Sequence, residues 1–392
     1  MSDPIVIVGI ARTAMGGMQG VFSNVTAPEL GATAIKAALE ESGLKPEDVD
    51  QVLMGCVLPA ATGQAPARQA ALAAGLPNSV SATTVNKVCG SGMKTIHMAC
   101  DALATGKSHV VIAGGMESMT NAPYMLTKAR GGYRLGHGEV TDHMFFDGLQ
   151  DAYSGELMGT FAENTADKYS FSRESQDAFA IESLARANKA IEDGHFKREI
   201  TPFTISSRKG DTVVDTDEQP GNARPDKIPS LRPAFRKDGT VTAANASSIS
   251  DGAAALVLMR KSDAEARGVK PLAIIRAEAE HSHEPEWFTT APCGAMKKVL
   301  EGAGWAASEV DLYEINEAFA VVTMAAMHEL DIPHDKVNVH GGACALGHPL
   351  GASGARVAVT LLAALETYGK SKGVASLCIG GGEGISLAIE RV

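Results

Sequence analysis

The chain opens on an apolar run, IVIVGI, that reads as a buried strand starting almost at the N-terminus. Further along, two windows repeat one pattern: an amphipathic helix, a glycine stop, then a Val-Asp step into a strand. Laid against itself at an offset of 261, the sequence aligns Ala34, Lys36, Leu39, Glu40, Gly43, Val49 and Asp50 with Ala295, Lys297, Leu300, Glu301, Gly304, Val310 and Asp311. Seven identities in one short window indicate duplication. The parallel continues through QVLMGCV and LYEINEAF, through Val85-Asn86 and Val337-Asn338, and through helices closing at Gly106-Lys107-Ser108 and Gly369-Lys370-Ser371.

Strands alternating with helices predict an α/β protein of two βαβ-rich halves about a pseudo-twofold, with mostly parallel sheets and functional loops at one end. Between the halves, residues 119–249 have no counterpart. One strong helix there, SRESQDAFAIESLARANKAIEDG, has Ser172 in its N-cap region and Gly194 as its stop, so this stretch is predicted to be a folded insert. The expected division is 1–118 with about 250–270 returning to it, 119–249, and 271–392.

Composition narrows the function classes. The length of 392 residues suits two or three domains, and 41 glycines with 5% aromatics suit close helix–strand packing. A net charge of −11 argues against a nucleic-acid partner. Six cysteines (56, 89, 100, 293, 344 and 378) show no paired or metal-ligand spacing, which points to a reducing compartment and no bound metal. The N-terminus lacks a basic flank and no apolar stretch looks long enough to span a bilayer, so a cytoplasmic protein is expected.

Four places carry candidate chemistry. In VNKVCGSGM, Cys89 lies at a helix start beside Gly90 and Gly92, where free backbone N–H groups and the helix dipole favour a thiolate. A small buried cysteine is the ordinary reading of such a position, so a second group must decide. GGACALGHPLGASGAR supplies it: His348, in the equivalent turn of the other half, is able to orient and deprotonate a thiol. In SLCIGGGEG, Cys378 ends a strand beside glycines whose N–H groups suit an oxyanion. In YEINEAFA, Asn316 is a polar group among apolar neighbours that could hold a water or a carbonyl oxygen.

These four motifs together resemble the thiolase family, as do GGMESMTNAPY, RGGYRLG, MGTFAEN, LRPAF and NASSISDGAA, and the similarity runs along nearly the whole chain, nearest to the short-chain, acetoacetyl-CoA type. The resemblance implies a five-layer αβαβα fold and a reversible Claisen condensation of two acetyl-CoA to acetoacetyl-CoA plus CoA. It makes Cys89 the acylated nucleophile, His348 its activator and Cys378 the acid/base at the second α-carbon. One oxyanion hole would be His348 with an Asn316-held water, the other the N–H groups of Cys89 and Gly380. Ser247 and Ala243 would meet the pantetheine, with Phe235, Ala318, Phe319, Leu149 and Met158 along the channel and Arg224 and Lys227 as candidates for the nucleotide end. Coenzyme A thioesters are then substrates, no cofactor is needed, no membrane partner is implied, and RGGYRLGHGE implies a homotetramer.

The sequence departs from the acetoacetyl-CoA type at Leu157, where relatives usually carry histidine, which keeps a broader-chain 3-ketoacyl-CoA thiolase as the alternative. Cys344, like Cys56, Cys100 and Cys293, reads as a small buried residue, and His281-Ser282-His283 as a solvated loop. A dehydrogenase is disfavoured because Gly9-Ile10-Ala11-Arg12-Thr13-Ala14 lacks the dinucleotide turn. An inactive acyl-CoA-binding scaffold remains the non-enzyme rival, and a ketoacyl synthase would lack a counterpart of Cys378.

Overall fold

The computed structural model describes residues 3–392. The first half comprises β1 (Ile5–Arg12), β2 (Gly16–Gly17), α1 (Ala27–Ser42), β3 (Gln51–Gly55), α2 (Pro66–Ala73), β4 (Ser81–Val85), α3 (Ser91–Ala104) and β5 (Val110–Ser118). An excursion follows, built from β6 (Tyr124–Met125), β7 (Thr141–Asp142), α4 (Met158–Tyr169), α5 (Arg173–Glu192), β8 (Phe203–Ile205), β9 (Thr212–Val214) and α6 (Glu218–Asn222). The chain then returns as β10 (Ser250–Arg260) and α7 (Lys261–Arg267). The second half comprises β11 (Ala273–Ser282), α8 (Ala291–Ala303), β12 (Leu312–Ile315), α9 (Ala320–Leu330), α10 (Ala343–Leu346), α11 (Leu350–Thr367), β13 (Lys372–Ile379) and β14 (Glu383–Arg391).

The halves repeat one another strand for strand. The first runs β1-β10-β5-β3-β4 and the second β11-β14-β13-β12, with a bridge from Tyr313 to Val337 where β4 would lie. They join through β1 and β11, paired at Val6–Ile274 and Ile7–Ala273. The duplicated aspartates do the same work in each: Asp50 accepts the N–H groups of His109 and Val110, and Asp311 those of Ser371 and Lys372. A carboxylate thus satisfies the backbone where β5 and β13 begin.

The expectation of mostly parallel sheets does not hold. Only β3–β4, β3–β5 and β12–β13 run parallel among the main-sheet strand pairs, and the rest are antiparallel. The physical reason lies in the connections: β14 returns from β13 through a glycine turn, with Gly381 at φ 94° and Gly382 at φ 90°, and a hairpin can only place its strands antiparallel.

Layering follows from which face each side chain covers. Val6 and Val8 of β1 and Val110 and Ile112 of β5 point outward onto α1 and α2. Ile5, Ile7, Val111 and Ala113 point inward, onto Met93, Ile96 and Leu103 of α3 and Val357 and Leu361 of α11. In the second half Leu377 and Ile379 face inward while Val374 packs outward with Met296 and Val299 of α8. The result is helix, sheet, a central pair of helices, sheet, helix, with strands apolar on both faces because both faces are covered. Leu350–Thr367 is, against the sequence expectation, long and apolar enough to cross a membrane; it is instead the central helix, buried from Leu350 to Leu365.

The central helices meet backbone to backbone at their first turns. A Cβ on Gly92 would lie 2.7 Å from the Ala355 nitrogen, and one on Gly354 would strike Met93. Glycine at both positions brings the starts of α3 and α11 together, and with them the turns carrying Cys89 and His348.

The excursion is pinned beside this end by Arg12, which is fully buried and bonds Glu199 at 2.5 Å and Asp217 at 2.7 and 2.8 Å. Ser172 caps α5 by accepting the Ser175 N–H, and Gly194 follows its end with φ 74°. Residues 126–140 form a solvent-exposed arm between β6 and β7, with Leu135 99% exposed.

Candidate active site

Cys89 sits in the turn between β4 and α3, aimed by a strained backbone. Val88 has φ 45°, a conformation rare for a β-branched residue. Asn86 Oδ1 accepts the Val88 N–H at 2.9 Å, and Ser91 Oγ accepts the Lys87 N–H at 2.8 Å while donating to the Val88 carbonyl. Gly90 leaves room for Ile379, whose side chain an added Cβ would strike. The end of β13 therefore packs over the turn, and Gly380 shares a cavity wall with Cys89.

The expected thiolate is not the resting state. Burial pushes the Cys89 thiol up to about 11, outweighing the Gly380 and Cys89 N–H groups that favour the anion, and Glu117 nearby adds to the rise. A helix start stabilises a thiolate only where the loss of water does not cost more.

His348 is 5% exposed and precedes α11. Its Nδ1 lies 2.5 Å from Ser353 Oγ, and that hydroxyl donates to the Pro349 carbonyl at 2.8 Å. Ser353 has spent its one proton, so the network assigns the ring proton to Nδ1 and leaves Nε2 unprotonated, as an acceptor. Burial, with Arg356 second, holds the imidazole down to about 3, so it is neutral. Asn316 is fully buried, with Nδ2 3.4 Å from His348 Nε2 and Oδ1 accepting from Arg356 at 3.2 Å.

Cys89, His348 and Gly380 line one cavity of about 380 Å³, together with Leu149, Met158, Phe235, Ala243, Ser247, Ala318 and Phe319. Its remaining wall is mostly apolar. Cys378 and Asn316 do not line it. Cys378 is fully buried in the cluster holding Ala318 and Phe319, and burial followed by the nearby Cys89 pushes its thiol well up. Arg224 and Lys227 line an adjoining cavity of about 280 Å³ that shares Ala243 and Ser248 with the first.

Two sequence expectations need correction. Cys344 is only partly buried and lines that second cavity, because α10 presents its first turn there. His281 and Ser282 belong to the end of strand β11, paired with Gly384 and Glu383, instead of a loop.

Sequence reasoning missed Phe288 and Phe145 on the cavity wall and Ser353, Arg356 and Glu117 behind it. Ser353 was findable: it follows His348 by one helical turn and a half within GHPLGASGAR. Glu117 was not, since its partners, the N–H groups of Val57, Leu58 and Gly351, come from distant segments. Phe288 gives no local signal either.

The arrangement joins a buried thiol, a neutral imidazole whose Nε2 carries no proton, and backbone N–H groups of Cys89 and Gly380 that favour the thiolate. That set can transfer an acyl group through a covalent thioester.

Comparison with known proteins yields the same direction. A model of the thiolase N-terminal domain matches residues 5–262 and one of the thiolase C-terminal domain residues 269–391. A protein named acetyl-CoA acetyltransferase from Chromobacterium violaceum is 51% identical over 389 residues, 99% of each chain. The mouse protein named acetyl-CoA acetyltransferase, cytosolic, is 48% identical over 393 residues, 100% of this chain and 99% of that one. Among solved structures, the Bacillus anthracis acetyl-CoA acetyltransferase superposes with a TM-score of 0.97 at 41% identity, over 100% of this chain and 99% of that one.

Proposed function

Because the chain belongs to the thiolase family, we propose that it is an acetyl-CoA C-acetyltransferase that condenses two acetyl-CoA into acetoacetyl-CoA and CoA, and cleaves the product in reverse. The observation that carries this reading is Cys89 at the start of α3, sharing with His348 and Gly380 the wall of one otherwise mostly apolar cavity. Identity of about half over the whole length with proteins of that name supports the substrate.

In the first half-reaction Cys89 Sγ attacks the thioester carbonyl and its proton passes to His348 Nε2. Because the resting thiol and imidazole are both neutral, transfer accompanies attack instead of preceding it. The carbonyl oxygen takes up negative charge as the tetrahedral adduct forms and gives it back when the carbon–sulfur bond to CoA breaks, the leaving thiolate taking the Cys378 proton while His348 keeps the one from Cys89. In the second, Cys378, now a thiolate, removes a proton from the α-carbon of another acetyl-CoA, and the His348 proton returns to Cys89 when it leaves. The enolate carbon then attacks acyl-Cys89, and Cys89 leaves as thiolate and is reprotonated. Developing oxyanions would be met by the N–H groups of Cys89 and Gly380 and by His348 with an Asn316-held water. No metal or redox group is needed for these steps.

The same reading places pantetheine by Ala243 and Ser247, the nucleotide end toward Arg224 and Lys227, and the acyl unit among Leu149, Met158, Phe235, Ala318 and Phe319. It divides the chain into 1–118 with 250–270, the 119–249 insert, and 271–392. The exposed arm at 126–140 suits assembly into a homotetramer, and the likeness to a protein named cytosolic supports a cytoplasmic location.

Thiolysis of acetoacetyl-CoA and of a six- or eight-carbon 3-ketoacyl-CoA, with Cys89→Ser as control, tests the proposal. Cleavage of the four-carbon substrate alone is the expected result. Comparable rates would favour a broader-chain thiolase, a reading that Leu157 on the cavity wall supports. No Cys89-dependent cleavage would leave an acyl-CoA-binding scaffold.

A further inference from the structure

Behind the cavity wall lies a charged side chain that touches the site without lining it. Arg356 stands on α11 and is 2% exposed. Its Nη1 donates to Glu314 Oε1 at 2.6 Å and its Nη2 to Asn316 Oδ1 at 3.2 Å, while its buried Nε has no acceptor. A guanidinium carries five N–H donors and no acceptor. An amide turned the other way would set its NH2 against those donors, so the Asn316 oxygen must face Arg356. Its nitrogen must then face His348, where it lies 3.4 Å from Nε2.

We propose that Arg356 is a positioning residue: by holding the Asn316 oxygen it fixes which end of the amide is offered to the reaction, and it sets a permanent positive charge behind the His348 ring. This rests on the roles given above to Asn316 and His348. The pair is well placed for both tasks. Glu314, 2% exposed, balances the guanidinium, so the charge is held in one geometry and is not free to swing into the cavity. An amide with its N–H on the side of His348 can donate to a water held there or to an oxyanion, whereas the opposite sense would repel the oxyanion.

The charged and titratable groups around His348 define what a pH measurement would read. Arg356 on α11 is the one whose charge depresses the imidazole. Glu314 and Glu317, at the end of β12 and just beyond it, both feel Arg356, whose charge opposes the upward push of burial on each. Cys89 is the titratable group on the cavity wall, with Glu117 beside it and Cys378 behind. With Arg356 removed, the ring loses its nearest positive charge and binds a proton at higher pH.

The test compares Arg356→Met, Arg356→Lys and the charge-balanced pair Arg356→Met with Glu314→Gln, the last guarding against misfolding from an unpaired buried carboxylate. Thermal melts establish folding. Thiolysis is then followed against pH, and the ring 15N shifts of His348, assigned by their loss in His348→Asn, are followed in the enzyme without substrate. The expected result for the balanced pair is a loss of roughly tenfold to a hundredfold in kcat. KM stays within about twofold, and the acid limb moves to higher pH. Arg356→Lys keeps the charge and holds the limb in place while recovering part of kcat. A folded balanced pair with wild-type kcat, an unmoved acid limb and unmoved 15N shifts would overturn the proposal. Wild-type protein that cleaves no 3-ketoacyl-CoA would refute the proposed function, and the 15N shifts would still decide whether Arg356 governs the ring.

Discussion

The two halves share a frame and differ in what each hangs on it. Before α3 the loop is short and strained, with Val88 at φ 45° and a cysteine at its tip; before α11 it is longer, takes a helical turn as α10, and ends on a histidine. The aspartates that start β5 and β13 are interchangeable in role, whereas the strand ends are not. The end of β5 offers Glu117, tied down by three backbone N–H groups, while the end of β13 offers Cys378 and an unblocked Gly380. Duplication therefore supplied two helix starts facing one another, and divergence of the loops assigned a thiol to one and an imidazole to the other.

The sharpest way to break this comparison is at its reacting tips. Cys89→Ala is expected to lower thiolysis by roughly a thousandfold or more, measured as kcat/KM, with the thermal midpoint little changed. Ser353→Ala removes the acceptor that keeps the His348 proton on Nδ1. It should reduce kcat by roughly tenfold to a hundredfold and leave KM nearly unaltered.

Acid sensitivity should belong to the second-half loop. His340, 1% exposed with neither ring nitrogen hydrogen-bonded, is held down to about 4 by burial, with His195 and Arg12 adding to it. Its folded value lies below its unfolded one, so the unfolded chain takes up the proton first. The stabilisation is complete above about pH 6.5 and is lost as pH falls toward 4, amounting to roughly 3 kcal/mol. Denaturant melts of His340→Leu should show a flatter dependence over that window than wild type.

Smaller effects sharpen the shared frame. Gly92→Ala forces apart the helix starts and should destabilise by about 1–3 kcal/mol in chemical denaturation. Asp50→Ala and Asp311→Ala should each cost about 1–2 kcal/mol, and by nearly equal amounts. Unequal losses would show that the repeated sequence does unequal work.

Much of this was legible beforehand. Helix positions, the Ser172 cap and the strand following each Val-Asp step follow local rules, and the repeat made the pairing of Cys89 with His348 arguable before any coordinates. What stayed hidden was non-local. Strand direction depended on a glycine turn whose consequence for β14 is a matter of topology, and Cys89's raised pKa depends on burial that no helix-start pattern reports. Glu117 and Arg356 act through partners far away in sequence. Cys378 and Asn316 were found as residues, but not as groups lying behind the cavity surface.

The central claim is that Cys89 carries the acyl group. Brief incubation with acetyl-CoA, acid quench and peptide mass spectrometry tests it most directly. The account predicts an acetyl group on the peptide containing Cys89, absent from Cys89→Ala and discharged by added CoA. Acetylation confined to another residue, or none on Cys89 in an enzyme that turns over, would contradict it.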